Sequence, residues 1–237
     1  MKIEAVLFDL DGTLLPMDLE RFMGAYFHLL TQKMQSFGYE PKKLMETVWA
    51  GTAAMIQNDG MRTNEQAFWD VFTQTYGQEA MEDKPCFDRF YYEEFVNARQ
   101  VCGFHPGARQ AVDTLHRKNI PCILATNPFF PAAATLQRVK WAGLEPEDFS
   151  LITTYENSSF CKPNLNYYRD ILSRMELEPS RCLMVGNDVQ EDMVAREMGM
   201  QVFLLTDCLI DRKNTDLSQF PHGGFADLLA FFESIQQ

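Results

Sequence analysis

The chain is short of positive charge. Against 33 aspartates and glutamates it carries 21 lysines and arginines, a formal net charge of −12. A surface of that sign repels nucleic-acid phosphates and anionic lipid, so neither is an expected partner. The same field repels a small phosphate ester, so a site for one needs a cation of its own. Histidine is scarce, with four scattered copies, and the six cysteines, at 86, 102, 122, 161, 182 and 208, include no C-x-x-C pair. A zinc centre is therefore not expected. No apolar run approaches the roughly 20 residues that cross a bilayer. The first residues run straight into a strand pattern with no signal-peptide character, so the expectation is a cytoplasmic protein with reduced thiols. Internal repeats and low-complexity segments are also missing. Nothing in the sequence speaks to oligomeric state.

What is present is an ordinary globular chain of 237 residues, 46% hydrophobic and 23% charged. That suffices for a full core without staples, arranged as one large domain or as a core with an insertion. Ala5-Val6-Leu7-Phe8 is a short apolar run that ends at an acidic turn, the pattern of a buried parallel strand. Similar runs recur at 122–125, 150–153, 182–185 and 201–205. Helical patterns separate them near 107–118, 131–142, 164–176 and 189–198. Strands alternating with helices predict an α/β fold, a doubly wound parallel sheet with a Rossmann-like core. In such sheets ligands bind at the carboxyl ends of the strands.

The alternation breaks from about Pro16 to Arg99, where only helical patterns occur. Leu19, Phe22, Met23, Tyr26, Phe27, Leu30 and Met34 recur at helical spacing. Thr63-Asn64-Glu65-Gln66 has the form of a capping box, followed by Phe68, Trp69, Phe72 and Tyr76, and a further helix is expected over 87–96. The stretch 16–99 is expected to be a separate, smaller all-helical domain inserted in a core made of 1–15 and 100–237. Its Met and aromatic stripes are read as core rather than as ligand surface. Hinges are expected at 15–18 and 100–106.

Four pieces carry chemistry. In Phe8-Asp9-Leu10-Asp11-Gly12-Thr13, Asp9 leaves the first strand at the carboxyl edge, and Gly12 lets the backbone turn sharply. Two carboxylates so close repel each other unless a cation or a shared proton intervenes, and a hard cation such as Mg2+ suits oxygen donors. The plainer alternative is a turn-forming Asp with a cap partner. In Leu124-Ala125-Thr126-Asn127, a strand ends in a hydroxyl residue that can donate to a phosphate oxygen or cap a helix. Lys162-Pro163 places a cation before a helix, with Pro163 suited to its first position. In Val185-Gly186-Asn187-Asp188-Val189-Gln190-Glu191-Asp192, Asp188 and Asp192 share one face of a helical turn, while Glu191 is expected to point elsewhere. Acids near a helix start also have a purely structural use.

The order and placement of these pieces resemble the haloacid dehalogenase-like superfamily of hydrolases. Asp9 with Asp11 matches its first motif, Thr126 its second, Lys162 its third, and Asp188 with Asp192 its fourth. The inserted helices resemble its helical cap. The resemblance implies a Mg2+-dependent phosphohydrolase acting on a small phosphorylated metabolite. Asp9 is then the nucleophile that becomes an aspartyl-phosphate, and Asp11 the general acid and base. It also implies that Mg2+ is held by the Asp9 carboxylate, the Asp11 carbonyl and Asp188, with Asp192 supporting through water or by holding Lys162. Thr126, the Asn127 amide and Lys162 then hold the phosphoryl oxygens. Dehalogenases of the family lack an acid at the position of Asp11, because a halide leaves without a proton; an ester's alcohol needs one. Asn187, between Gly186 and Asp188, departs from the commonest form of the fourth motif. A phosphoryl transferase such as a phosphomutase on the same scaffold, and a silent binding or regulatory module, are the alternatives.

Overall fold

The computed structural model describes residues 3–235; residues 1–2 and 236–237, the outer ends of the two expected core segments, lie outside the described residues. Six strands form a single parallel sheet: β1 (Ala5–Phe8), β2 (Cys122–Leu124), β3 (Leu151–Ile152), β4 (Cys182–Gly186), β5 (Gln201–Leu205) and β6 (His222–Gly223), in the order β3-β2-β1-β4-β5-β6. The first five match the apolar runs. β6 is a two-residue edge strand with no apolar run to announce it.

Each central strand is apolar throughout because both faces are covered. Val6 and Phe8 of β1 enter one core, with Leu124, Val185 and Phe203. Ala5 and Leu7, one step out of phase, enter the other, with Ile123, Met184 and Leu204. This is the two-residue alternation of a strand read on both faces. Over the first face lie α5 (Pro106–Arg117), α6 (Ala132–Trp141) and α8 (Phe225–Ser234); over the second lies α7 (Leu165–Arg174). The chain winds from β1 to β2 and β3 on one side, then returns to place β4 on the other. The switch of winding therefore falls between the carboxyl ends of β1 and β4, where a crevice opens.

Between β1 and α5 every regular element is helical: α1 (Leu19–Gln35), α2 (Pro41–Ile56), α3 (Asn64–Tyr76), α4 (Lys84–Glu93) and two 3-10 segments, Gln78–Asp83 and Phe95–Val101. Thr63 and Gln66 make both bonds of the capping box at the start of α3. The segments expected to act as hinges lie side by side: Met17 and Cys102 form an antiparallel bridge, and Gly103 N–H donates to the Pro16 carbonyl at 2.7 Å.

Two local expectations fail. No α-helix spans 189–198; only a 3-10 segment, Met193–Met198, forms there. The Asp188 side chain accepts from the N–H groups of Gln190 and Glu191 at 2.9 and 3.0 Å. Those local bonds compete with the helical ladder. Pro163 does not open α7 either. That helix begins at Leu165, because Asn164 supplies the N-cap by accepting from Asn166 N–H.

Candidate active site at the carboxyl edge of the sheet

Asp9 is the first residue beyond β1. Its N–H donates to the Val185 carbonyl at 2.9 Å, which ties this corner to β4. Its carboxylate is held from both sides: Lys162 Nζ lies 2.9 Å from Oδ1, and Thr13 Oγ1 lies 3.2 Å from Oδ2. Thr13 also lies 2.9 Å from Asn187 Oδ1. The turn between them needs Gly12. Its φ is +86°, and a Cβ there would sit 2.3 Å from Asn187 Nδ2. The first motif is thus keyed onto the fourth by backbone that tolerates no side chain.

Lys162, in the loop before α7, is buried and reaches a second carboxylate, Asp192 Oδ1, at 2.6 Å. Burial works against its charge, but Asp192 and Asp9 outweigh burial and hold the ammonium's pKa well above the usual lysine value. The other Asp192 oxygen accepts from the Asp188 N–H at 3.0 Å. Burial, opposed by Lys162, raises the pKa of Asp192. Gly186 makes room for this carboxylate: a Cβ there would lie 2.1 Å from Asp192 Oδ2. Of the two roles open to Asp192, the contact made is the one with Lys162.

Asp188 spends Oδ1 on the two backbone N–H groups named above, and its Oδ2 pairs with Arg212 at 2.6 Å. Thr126 follows β2 and is buried; its carbonyl accepts from Thr153 Oγ1 at 2.7 Å and from Tyr167 Oη at 2.9 Å. Asn127 joins the two halves of the site, donating from Nδ2 to Glu191 at 2.9 Å and accepting the Lys162 N–H at 3.2 Å. Glu191 therefore faces the site, contrary to expectation. The cause is the turn that replaces the expected helix: with the Glu191 N–H held by Asp188, its side chain swings toward Asn127.

Asp11 lies in the same crevice, and its Oδ2 pairs with Arg138 of α6. Arg138 is fully buried, with its guanidinium 4.5 Å from the centre of the Phe130 ring. The other Asp11 oxygen is buried with no hydrogen-bond partner. Burial raises the pKa of Asp11; Arg138 opposes this and Asp9 adds to it. Arg138 and Arg212, which also face these acids, lie outside the motifs, and Thr13, Asn187 and Glu191 lie within them but are given no partner there. One signal for Arg138 was available. It occupies an apolar stripe with Ala134 and Trp141, and a cation in such a stripe is buried only when paired.

The structure thus brings together Asp9, Asp11, Thr126, Asn127, Lys162, Asp188 and Asp192. All but Lys162, which lies behind Asp9 and Asp192, line a cavity of about 270 Å³ that reaches in among α1, α2, α3 and α4. Five carboxylates, those of Asp9, Asp11, Asp188, Glu191 and Asp192, face three cations, Lys162, Arg138 and Arg212. With all ionised, two negative charges are left uncompensated, the charge of one divalent cation. Among the described residues, no three His, Cys, Asp or Glu side chains stand together as a metal cluster. A hard cation here would need a main-chain or phosphoryl oxygen beside the carboxylates.

This arrangement, acids at the ends of β1 and β4 with a lysine between them, defines a hydrolase class. The family model of haloacid dehalogenase-like hydrolases matches residues 3–199, and the chain belongs to that family. It is 22% identical to ribulose-1,5-bisphosphate 5-phosphatase of Halopiger xanaduensis over 206 residues, 84% of this chain and 83% of that one. It is 24% identical to haloacid dehalogenase-like hydrolase domain-containing protein 3 of Xenopus laevis over 147 residues, 60% of this chain and 58% of that protein's length. Among solved structures, 2-haloacid dehalogenase from Pseudomonas syringae superposes with a TM-score of 0.62 at 20% identity, covering 98% of each chain. No helix among the described residues is long and apolar enough to cross a membrane.

Proposed function

We propose that this hydrolase is a phosphatase, transferring the phosphoryl group of a small monoester to Asp9 and then to water. The observation that carries the reading is the setting of Asp9, pinned between Lys162 and Thr13 at the mouth of the cavity with Asp11 two residues on. In the first step a carboxylate oxygen of Asp9 attacks phosphorus, and the bond to the ester oxygen breaks. Asp11 delivers its proton to that oxygen, so an alcohol leaves. Burial favours the protonated form of Asp11, which suits it to this task. In the second step Asp11 takes a proton from water, which attacks phosphorus and frees phosphate and Asp9. Lys162 balances charge on the phosphoryl oxygens, and the Thr126 hydroxyl and Asn127 amide orient them.

The donor chemistry fits Mg2+, with the Asp9 and Asp188 carboxylates and the Asp11 carbonyl as its holders; when bound, it would offset charge on the phosphoryl group. The helices of 16–99 act as a cap that excludes water from the first step. An acid at position 11 favours esters over the carbon–halogen bonds named for the Pseudomonas structure. The phosphatase relative supports the same direction.

The test is Asp9→Asn. The variant should fold as the parent does by circular dichroism and lose about 10³-fold or more of its phosphate release from an aryl phosphate. Chelation with EDTA should silence the parent, and Mg2+ should restore it. Parental turnover by the Asn variant would remove Asp9 as nucleophile; full activity in EDTA would remove the metal.

A further inference from the structure

The cavity has two unlike ends. At the sheet edge it is polar and acidic; deeper in, its wall is Phe22, Met23 and Tyr26 of α1, Val48 of α2, Trp69 of α3 and Phe130 before α6. The aromatic stripe of α1, expected to be wholly core, is divided. Phe27 and Met34 pack inward, whereas Phe22, Met23 and Tyr26 also face the cavity. Resting on the phosphatase reading, we infer that the leaving group is uncharged and apolar, with the bulk of a single six-membered ring. It is not a second phosphate, a carboxylate or a polyhydroxylated sugar.

Three observations support this. First, charge: of the residues lining the cavity only Arg212 is cationic, and its guanidinium is taken by Asp188 at 2.6 Å. Lys162 and Arg138 sit behind the carboxylates they pair with. The helical side of the cavity adds an acid instead, Asp88 of α4, whose side chain is 45% exposed and bonded to Lys84 at 3.3 Å. On the aromatic wall a second anionic group would find no cation to receive it, and at the polar end only the half-exposed Arg212.

Second, hydrogen bonds: the deep wall offers few polar atoms and each has a partner, leaving only one phenol hydrogen of the Tyr26–Tyr91 pair and that of Tyr155 to donate to a ligand. Tyr26 Oη and Tyr91 Oη lie 3.2 Å apart, Trp69 Nε1 donates to Tyr155 Oη at 3.4 Å, and Thr52 Oγ1 donates to the Val48 carbonyl at 2.9 Å. Sugar hydroxyls buried there would find few partners, at roughly tenfold in affinity for each one left unpaired. Third, size: an apolar cavity of about 150 Å³ accommodates benzene. One of about 270 Å³ takes a phosphoryl group and one ring.

The experiment compares esters whose leaving alcohols have similar intrinsic reactivity: benzyl phosphate against glycerol 3-phosphate, phosphoglycolate and ribulose 1,5-bisphosphate. Phosphate release with Mg2+ present should give benzyl phosphate a kcat/KM at least 100-fold above each of the others. An equal or higher value for any polar or doubly anionic ester overturns the inference while leaving the phosphatase intact. Calorimetric binding of the same esters to Asp9→Asn separates the two readings further. If the parent hydrolyses nothing, the phosphatase reading fails. Preferential binding of benzyl phosphate would still uphold the apolar chamber, and equal binding of glycerol 3-phosphate would sink it. Met23→Lys, which adds a cation to the wall, should shift the preference toward phosphoglycolate by tenfold or more.

Discussion

Arg138 is the residue whose removal the structure makes most specific. It is fully buried, its partner Asp11 has a side chain 21% exposed, and the two meet beneath the cavity floor. Arg138→Met keeps much of the side chain's length but removes the guanidinium that lies over Phe130 and Phe22, leaving Asp11 beside Asp9 without its counterion. Breaking a buried pair from one side costs about 3 kcal/mol or more. For a chain of this length, 1 kcal/mol shifts Tm by roughly 2–4 °C, so the variant should melt about 6–12 °C lower. Asp11→Asn, which strands the guanidinium instead, should cost a comparable amount. The double variant has no uncompensated charge, and it should recover at least half of the loss predicted by adding the singles. The assay is a double-mutant cycle in urea or by thermal melting, with metal absent throughout. If the singles add to within about 0.5 kcal/mol, the pair is not energetically coupled and its ionic description is wrong.

Further outcomes follow from the same contacts. Gly186→Ala places a methyl group 2.1 Å from Asp192 Oδ2, so Asp192 must leave Lys162; stability should fall by about 3 kcal/mol and phosphate release should collapse, whereas a Tm within 2 °C of the parent would contradict the packing. Arg212 is half exposed, so Arg212→Ala should change stability by less than about 1 kcal/mol. By freeing an Asp188 oxygen, the same change should tighten Mg2+ binding measured by calorimetry, and weaker binding would show that Arg212 does not compete for that carboxylate. All six cysteines are free thiols, so a reducing agent should leave Tm unmoved.

The sheet was legible because each strand of its centre is buried on both faces, which leaves a run such as Ala5-Val6-Leu7-Phe8 with no polar break. Strand ends then located the acids. The edge strand β6 and helix α8 were not legible from apolar runs alone, since β6 has two residues and is only partly buried. The burial of Lys162 could not be read locally either. A lysine before a helix is ordinarily solvated, and only the two carboxylates brought from 153 residues before it and 30 after it make burial tolerable. Arg138 is hidden for the same reason, its partner lying 127 residues away. The turn after β4 misled helix reading because an Asp side chain took over backbone N–H groups that a helix would have used.

That turn also bears on the two acids to which the family resemblance gives different roles. Asp192 has both oxygens committed inside the protein, one to the Asp188 N–H and one to Lys162, with the Gly186 backbone pressed against it. Drawing it toward a cation would strand Lys162 beside Asp9 alone and open the Gly186 contact. Asp188 has a different inventory. Its Oδ1 is fixed by the turn, but its Oδ2 is held only by Arg212, a side chain half in solvent. A cation reaching this crevice would displace one half-exposed guanidinium at Asp188, but would have to dismantle the lysine bridge at Asp192. On that comparison we propose Asp188 as the acid that would hold a metal, and Asp192 as the strut that keeps Lys162 aimed at Asp9.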